Sequence, residues 1–343
     1  MTSASAMRAV TSLVSGFRRT AVRPTIIAAM VAMMMPPLGL DASAQETHLI
    51  VVTGVEADAQ DGVQFHKWAA ALVDAAAQKA GVAGANIVYL ADKPDVDRGR
   101  MRGRSTREGV SQAIADVAGR AQPRDQVFIV LLGHGSFNGR DASFNLPGPD
   151  LKAADYAKLL ERLGSQRVVF VNTTGSSGGF LAPLAGPGRT IVAATKTGGE
   201  RLDPLFPEYF VEALSSEAAD KNRDGRVSVL EAFEYAKTKV AQVFQQRGTI
   251  VTEHAALEDG SNGALADAMF LESPRARAAA FASVTDPARR ALFERRQTLE
   301  DQIAELKAGK ARMDPGQYEA ALEKLVTDLA LTSKAIQQIE KKP

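Results

Sequence analysis

The chain has 343 residues, of which 45% are apolar and 24% are charged, and its formal net charge is +1. This apolar content is ordinary for a protein with a packed core, so wholesale disorder is excluded. The balanced charge gives no sign of a nucleic-acid-binding surface. The sequence contains no cysteine, which excludes disulfides, thiolate metal centres and a cysteine nucleophile.

The first 44 residues have the pattern of a secretory signal. Four arginines precede an uncharged run at 25–40, and Ala42-Ser43-Ala44 follows that run as a small-residue cleavage site. The run is short for a membrane span and contains Pro36-Pro37. We therefore predict cleavage after Ala44, with an uncleaved anchor as the alternative. The mature protein would be secreted or periplasmic, with a net charge of −2 and no membrane span.

Residues 45–273 alternate between apolar, β-branched runs and helical patterns. The runs are nearly continuous in hydrophobicity, as strands buried on both faces of a parallel sheet must be. They lie at 48–54, 86–91, 127–133, 167–172 and 190–195. Helical patterns lie at 64–80, 105–120, 150–163 and 206–219, with Ser105 and Asp150 as predicted N-caps. The alternation predicts an α/β domain with an open, mostly parallel sheet and helices on both faces.

Two strand ends carry residues suited to chemistry, and in such sheets ligands bind at the carboxyl ends of the strands. The third strand is followed by Gly133-His134-Gly135-Ser136, which suits a general base beside a backbone N–H donor. The fourth is followed by the stretch 172–180, NTTGSSGGF, with hydroxyls where a nucleophile would stand. The plain alternatives are a turn histidine and a tight glycine-rich turn. The other three histidines are assigned no functional role. His48 is interpreted as a strand residue, His66 as a helix residue and His254 as a packing or capping residue.

The order of these segments, over about residues 47–215, resembles the caspase-like fold of cysteine peptidases, the group that contains legumains, caspases and metacaspases. The resemblance implies that His134 is the general base and that Gly135 is the oxyanion glycine. The nucleophile motif of that group, a small residue followed by Cys-x-Ser-Gly, places Gly175 at the cysteine when it is aligned on Ser177-Gly178. Glycine has no side chain, so the motif is broken at its essential residue.

Two functions are compatible with this pattern. The first is a catalytically inactive homologue that acts by binding a peptide, a protein or a cell-envelope partner. The alternative is an active hydrolase or peptidase in which Ser176, or Thr174, is the nucleophile and His134 is the base. The resemblance predicts the fold more directly than it predicts a reaction.

Residues 220–231 match the twelve-residue calcium loop of an EF-hand at every diagnostic position. Oxygen-bearing side chains fall at loop positions 1, 3, 5, 9 and 12, glycine at position 6 and an aliphatic residue at position 8. Flanking helices are predicted at 207–219 and 229–247. The sequence therefore predicts a Ca²⁺ site, and a polar turn between helices is the alternative. The predicted ligands are the side chains of Asp220, Asn222, Asp224, Ser228 and Glu231 and the carbonyl of Arg226.

Residues 274–343 are predicted to be a linker, at 274–290, and a coiled-coil-like helical hairpin. Two apolar stripes with three- to four-residue spacing are separated by Asp314-Pro315, an N-cap followed by proline. Such a hairpin buries little by itself, so we expect it to pack on the domain or to mediate self-association. The stripes consist of Leu292, Leu299, Ile303 and Leu306 in the first helix and Leu322, Leu325, Leu329, Ile336 and Ile339 in the second.

Overall fold

A computed structural model describes residues 45–200, 203–222, 224–309 and 313–340. The predicted signal segment at 1–44 lies outside these residues. Within them, no helix is both long enough and apolar enough to cross a membrane.

A seven-stranded sheet lies at the centre of the described residues, and a three-stranded antiparallel sheet follows its fourth parallel strand in the chain. The strands are β1 (Thr47–Thr53), β2 (Ile87–Ala91), β3 (Met101–Arg104), β4 (Gln126–Leu132), β5 (Gly135–Phe137), β6 (Ala142–Phe144), β7 (Leu151–Lys152), β8 (Arg167–Asn172), β9 (Arg189–Ala193) and β10 (Ala256–Glu258). The large sheet has the order β10-β9-β8-β4-β1-β2-β3, and β10 is its one antiparallel strand. The prediction of an open, mostly parallel sheet is confirmed. The short edge strands β3 and β10 were not predicted.

Helices cover both faces of this sheet, as the strand pattern predicts. One face packs against α1, α5 and α6, and the other packs against α2 and α3. Strands β1 and β4 are buried at every position, which is why their sequences are apolar on both sides. Each fully buried valine, leucine or isoleucine contributes roughly 1.5–3 kcal/mol. The described helices are α1 (Ala59–Asp74), α2 (Arg107–Arg120), α3 (Ala153–Leu160), α4 (Leu181–Leu184), α5 (Phe206–Ser215), α6 (Val229–Gln246), α7 (Ala264–Asp267), α8 (Pro274–Ala282), α9 (Pro287–Gly309) and α10 (Pro315–Glu340).

Both predicted N-caps are displaced from the observed ones. Helix α2 is capped by Thr106, whose Oγ1 accepts the N–H of Gly109 at 3.1 Å. Ser105 instead continues the pairing of β3, since its N–H donates to a backbone carbonyl of β2. Helix α3 begins after Lys152, and the carboxylate of Asp150 accepts a backbone N–H of the preceding loop. A polar residue near a helix start predicts the helix but not which neighbour caps it.

The C-terminal region forms the predicted helical hairpin, in which α9 and α10 pack along each other. The segment predicted as a linker instead contains α8. Its Arg277 is buried and donates to Glu300 Oε2 of α9 at 3.0 Å. This region and the α/β region belong to one compact unit.

Candidate functional site

The carboxyl ends of β4, β8 and β9 meet at one edge of the sheet and form a cleft there. The cleft has a volume of about 800 Å³. It contains three positions that the sequence singled out: Gly135, Ser176 and Gly175, the residue that the resemblance aligns with a cysteine. Its lining consists of Gly135, Phe137, Asn138, Gly139, Gly175, Ser176, Gly198, Gly199 and Glu200.

Asp61, which the sequence analysis missed, is the partner of His134. Asp58 caps α1 by accepting the N–H groups of Gln60 and Asp61 at 2.7 and 3.0 Å, and this places Asp61 in the first helical turn. Its Oδ2 atom lies 2.9 Å from His134 Nε2. Burial raises the pKa of Asp61. The hydrogen bond and charge of His134, together with backbone N–H donors, lower the pKa by more, so it lies below its usual range. The sequence did contain a signal for this pairing. Asp61 lies in the first helical turn after β1, and β1 ends at the same edge of the sheet as β4, which precedes His134.

The second ring nitrogen of His134 also faces a carboxylate. His134 Nδ1 lies 3.5 Å from Oδ1 of the exposed Asp203. The edge of the imidazole packs on the ring of Phe65, with centroids 5.3 Å apart. The side chain of His134 stays 29% exposed. The imidazole is therefore oriented by Asp61 and Phe65 while remaining open to the solvent.

The two glycines that flank His134 are required by close packing. Gly133 has φ +155°, and a Cβ there would lie 3.0 Å from the backbone nitrogen of Gly54, where β1 and β4 end side by side. A Cβ on Gly135 would lie within 2.5 Å of Thr174 Oγ1 and closer still to Ser176 Oγ. The Gly-His-Gly pattern thus allows β5 to pass directly over the hydroxyls that follow β8.

Ser176 is buried, with 2% of its surface exposed. Its Oγ donates to the backbone carbonyl of Ser143 at 3.1 Å and lies 3.3 Å from Thr174 Oγ1. Among the described residues, neither hydroxyl is hydrogen-bonded to His134, whose Nε2 is engaged by Asp61. The serine–histidine contact that nucleophilic catalysis needs is therefore not assembled in this conformation.

The neighbouring hydroxyls hold the turn together. Ser177 Oγ lies 2.9 Å from Thr195 Oγ1, which also accepts the N–H of Gly178 at 2.9 Å. Both hydroxyl residues are fully buried. This bridge ties the end of β8 to the end of β9, so much of the serine- and glycine-rich stretch has a structural role.

The opposite wall of the cleft is held by the segment before β10. Glu200 accepts the N–H groups of Lys196 and His254 at 3.1 and 3.2 Å. The buried carboxylate of Glu253 accepts two N–H groups at the start of α5, each at 2.8 Å. Burial raises the pKa of Glu253 above its usual range despite these donors. A capping role was one interpretation of His254, but the residue that caps the start of α5 is its neighbour Glu253.

Strand β5 presents an open backbone edge to the cleft. It is an edge strand that pairs only with β6 among the described residues. His134 and Asn138 direct backbone groups toward β6, since the carbonyl of the first accepts from Asn145 and the N–H of the second donates to Asp141. Backbone groups alternate along a strand. The N–H and C=O groups of Gly135 and Phe137 therefore point away from β6, on the side of the cleft.

The 220–231 loop is closed by its own acidic and amide side chains. Asp220 accepts the N–H groups of Asp224 and Gly225 at 3.1 and 2.8 Å, and Gly225 has φ +82°, which favours glycine. Glu231 accepts the N–H groups of Lys221 and Asn222 at 3.1 and 3.3 Å. Its other oxygen accepts from Ser228 at the start of α6. The first and last loop positions are thereby drawn together.

The loop differs from the sequence expectation at its entry and contacts the hairpin at its far side. The entering helix ends at Ser215, not at 219, because Ser216 is extended (φ −139°, ψ 171°). Arg226 donates to Glu300 of α9 at 2.6 Å and stacks 3.7 Å from the ring centroid of Phe270. Arg296 of α9 donates to the backbone carbonyl of Asp224. The loop is therefore anchored between α6 and the C-terminal hairpin.

The donor set of the loop suits a hard cation, since three carboxylates, an amide and a hydroxyl supply oxygen atoms. The Asp220 and Asp224 oxygens that accept one N–H each keep a further lone pair, whereas both oxygens of Glu231 accept two hydrogen bonds each, so Glu231 must release some of these donors to bind a cation. Within the described part of the chain, no three histidine, aspartate or glutamate side chains converge as a metal-binding group.

No protein-family model matches this chain, and no curated protein is significantly similar to it. The resemblance to caspase- and legumain-like peptidases therefore depends on the residues of the two strand ends.

Proposed function

We propose that this protein is a secreted or periplasmic, calcium-binding homologue of caspase- and legumain-like peptidases whose cleft binds a peptide or cell-envelope partner without cleaving it. The single observation that carries the binding role is the state of the hydroxyls beside His134. Ser176 is buried and bonded to a backbone carbonyl, while His134 is paired with Asp61. Glycine occupies the cysteine position at Gly175. The cleft is therefore present, but no hydroxyl beside it is paired with a base as a nucleophile.

The open edge of β5 supports an extended peptide as the ligand. A peptide strand laid beside Gly135 and Phe137 would pair with the backbone groups that face the cleft. The ring of Phe137 is partly exposed and offers an apolar contact. This mode needs no nucleophile, because main-chain hydrogen bonds supply the affinity and the cleft walls supply the specificity.

The test is selection of binders from a displayed library of random decapeptides, followed by Phe137→Pro. Proline removes the N–H that faces the cleft and is tolerated on an edge strand. We expect affinity for the selected peptides to fall at least tenfold, whereas the matched variant Phe137→Leu keeps most of it. Selection of no peptide, or equal affinity in both variants, would contradict the proposal. Labelling of Ser176 or Thr174 by a fluorophosphonate probe would establish the hydrolase alternative instead.

Calcium binding at residues 220–231 is the second part of the proposal, and the loop position of each oxygen-bearing side chain supports it. At ten times the dissociation constant, a ligand adds about 1.4 kcal/mol to the free energy of unfolding. This corresponds to roughly 2–5 °C in melting temperature. We expect that shift on adding millimolar CaCl₂ to chelator-treated protein, and none in Glu231→Ala. The control Glu234→Ala, one turn further along α6, should keep it.

Glu231 also bonds to Ser228 at the start of α6, so Glu231→Ala lowers stability by itself. The readout is therefore the difference between calcium and chelator for each variant. If the wild type and Glu231→Ala both melt identically under the two conditions, the loop is a polar turn and calcium is removed from the proposed function. The peptide-binding test is unaffected by that outcome.

Secretion is tested independently of both activities. Intact-mass analysis of exported protein should give a chain that begins at Gln45, because Ala42-Ser43-Ala44 precedes it. Retention of 25–40 in a membrane fraction would contradict this localisation.

The hairpin is proposed as the self-association element of the mature protein.

A further inference from the structure

Asparagine followed by glycine occurs twice in the sequence, at Asn138-Gly139 and at Asn262-Gly263. This dipeptide is prone to deamidation, because glycine has no side chain to hinder attack of its backbone nitrogen on the asparagine side chain. The first pair lies in the turn between β5 and β6, and the second lies directly before α7. The two dipeptides are identical, so their contacts in the folded protein decide which of them reacts.

The Asn138-Gly139 turn leaves the reacting groups free and activates one of them. Both residues are exposed and line the cleft. Among the described residues, the N–H of Gly139 has no hydrogen-bond acceptor, and a Cβ there would have no heavy atom within 4 Å. Asn138 Oδ1 accepts the N–H groups of Arg140 and Asp141 at 3.0 and 2.8 Å. These two donors stabilise negative charge on Oδ1, which favours attack on the Cγ atom of Asn138.

The Asn262-Gly263 turn has the opposite arrangement. Gly263 is buried, and its N–H donates to Asp259 Oδ1 at 2.9 Å. The same carboxylate accepts three further N–H groups of this turn, at 2.9, 3.0 and 3.1 Å. The nitrogen of Gly263 is therefore held by a rigid network and cannot approach the side chain of Asn262 without breaking it.

We propose that Asn138 is a site of spontaneous deamidation on the wall of the cleft. The backbone nitrogen of Gly139 bonds to Cγ of Asn138 and gives its proton to water. The side-chain nitrogen of Asn138 leaves as ammonia, and a cyclic imide remains. Water then opens this ring to aspartate or isoaspartate. The net reaction replaces an amide with a carboxylate, adds one negative charge and needs no oxidant or reductant.

The modification changes the surface on which a peptide is proposed to lie, and this consequence rests on the proposed peptide binding. The new carboxylate lies on the lining that also contains Glu200, so the cleft becomes more acidic. The isoaspartate product also adds a methylene group to the main chain directly after Phe137, at the end of β5. Both changes should weaken pairing of a peptide with the open edge of β5.

Peptide mapping by mass spectrometry tests the modification itself. The purified full chain is incubated at mildly alkaline pH, either folded or in urea. In the folded protein, a mass gain of about one dalton should appear at Asn138 about tenfold faster, or more, than at Asn262. In urea both sets of contacts are lost, and the two rates should agree within about twofold.

Two variants are the matched controls. Asn138→Gln should prevent the modification at 138, because glutamine would have to form a larger ring, whereas Asn262→Gln should leave the rate at Asn138 unchanged. Equal rates at Asn138 and Asn262 in the folded protein would overturn the proposal. A tenfold difference that persists in urea would also overturn it, since the flanking sequence and not the fold would then be the cause.

The consequence for binding has a separate readout. Affinity for the peptides selected from the displayed library should fall during incubation of the wild type, in proportion to the modified fraction, and stay constant in Asn138→Gln. An unchanged affinity of fully modified protein would overturn the consequence but not the modification. If no peptide is selected, peptide binding and this consequence fail together, while the mass analysis still decides whether Asn138 is the reactive site.

Discussion

Two histidine–aspartate pairs lie at opposite ends of the same sheet, and their surroundings differ. At the amino end of β1 and β4, His48 Nε2 lies 3.1 Å from Asp125 Oδ2, and the two side chains are 4% and 5% exposed. At the carboxyl end, His134 Nε2 lies 2.9 Å from Asp61 Oδ2, with 29% and 23% exposed. The chemical groups and distances are nearly the same. Burial is the difference.

The buried pair has the features of a structural element. Asp125 also accepts backbone N–H groups from Glu46 and Gln122 at 2.9 and 2.8 Å, so its carboxylate joins three segments of the chain. The open pair borders a cleft, and one of its members lies between two glycines that allow close packing. A histidine–aspartate pair therefore indicates a functional site only when solvent or a ligand can reach it.

Breaking the buried pair should cause the greatest loss of stability. Asp125→Ala should lower the free energy of unfolding by about 3–5 kcal/mol, because it leaves the buried His48 and two partly buried backbone donors without their partner. Asp61→Ala, in the half-exposed pair, should lower it by no more than about 1 kcal/mol. Urea denaturation of both variants measures the contrast. Equal losses would contradict the distinction between a structural and an open pair.

The packing around the open pair should also be sensitive to one added methyl group. Gly135→Ala should destabilise the protein by about 1–3 kcal/mol, since its Cβ would clash with the hydroxyls of Ser176 and Thr174. Adding Ser176→Ala removes the nearest clash and should recover part of the loss. Thermal denaturation of the single and double variants checks this. Absence of any recovery would mean that β5 does not lie on this hydroxyl.

A thiol placed beside the open pair should show whether that pair still supports chemistry. Gly175→Cys should react with iodoacetamide about tenfold faster than Gly199→Cys, a thiol on the other wall of the same cleft, if His134 lowers its pKa. The advantage should disappear when His134→Ala is added. Equal rates at 175 and 199 would contradict the alignment that places Gly175 at the cysteine position.

The smallest effect is a pH dependence of stability that comes from Asp61. Because its pKa is lower in the folded protein than in the unfolded chain, its contribution is present above the unfolded value near 3.9 and is lost as the pH falls through the folded value. The difference in melting temperature between wild type and Asp61→Asn should therefore be constant above about pH 5 and shrink below about pH 4. Asp203→Asn is the control, since its exposed carboxylate lies 3.5 Å from His134. A difference independent of pH would rule out this linkage.

The strands, the main helices and the hairpin could be predicted because each leaves a periodic pattern in the sequence. Val127–Leu132 is continuously apolar because both sides of β4 are covered. The apolar spacing of α9 and α10 is that of helices with one packed face. Helix ends were less predictable, since Ser105 and Thr106 are equally good caps and only the extension of β3 decides between them.

The apolar pattern of the strands predicts which residues stand at the strand ends, and thus that His134 and the stretch around Ser176 share one edge of the sheet. Which groups these residues face depends on how distant segments pack. Asp61 is 73 residues from His134 in the chain, and Ser143 approaches Ser176 from a separate small sheet. Such contacts depend on the angle at which helices and strands pack and on which side chains bury the contact from solvent. Neither leaves a periodic pattern, so the pairing of His134 with a carboxylate instead of a serine had to be observed.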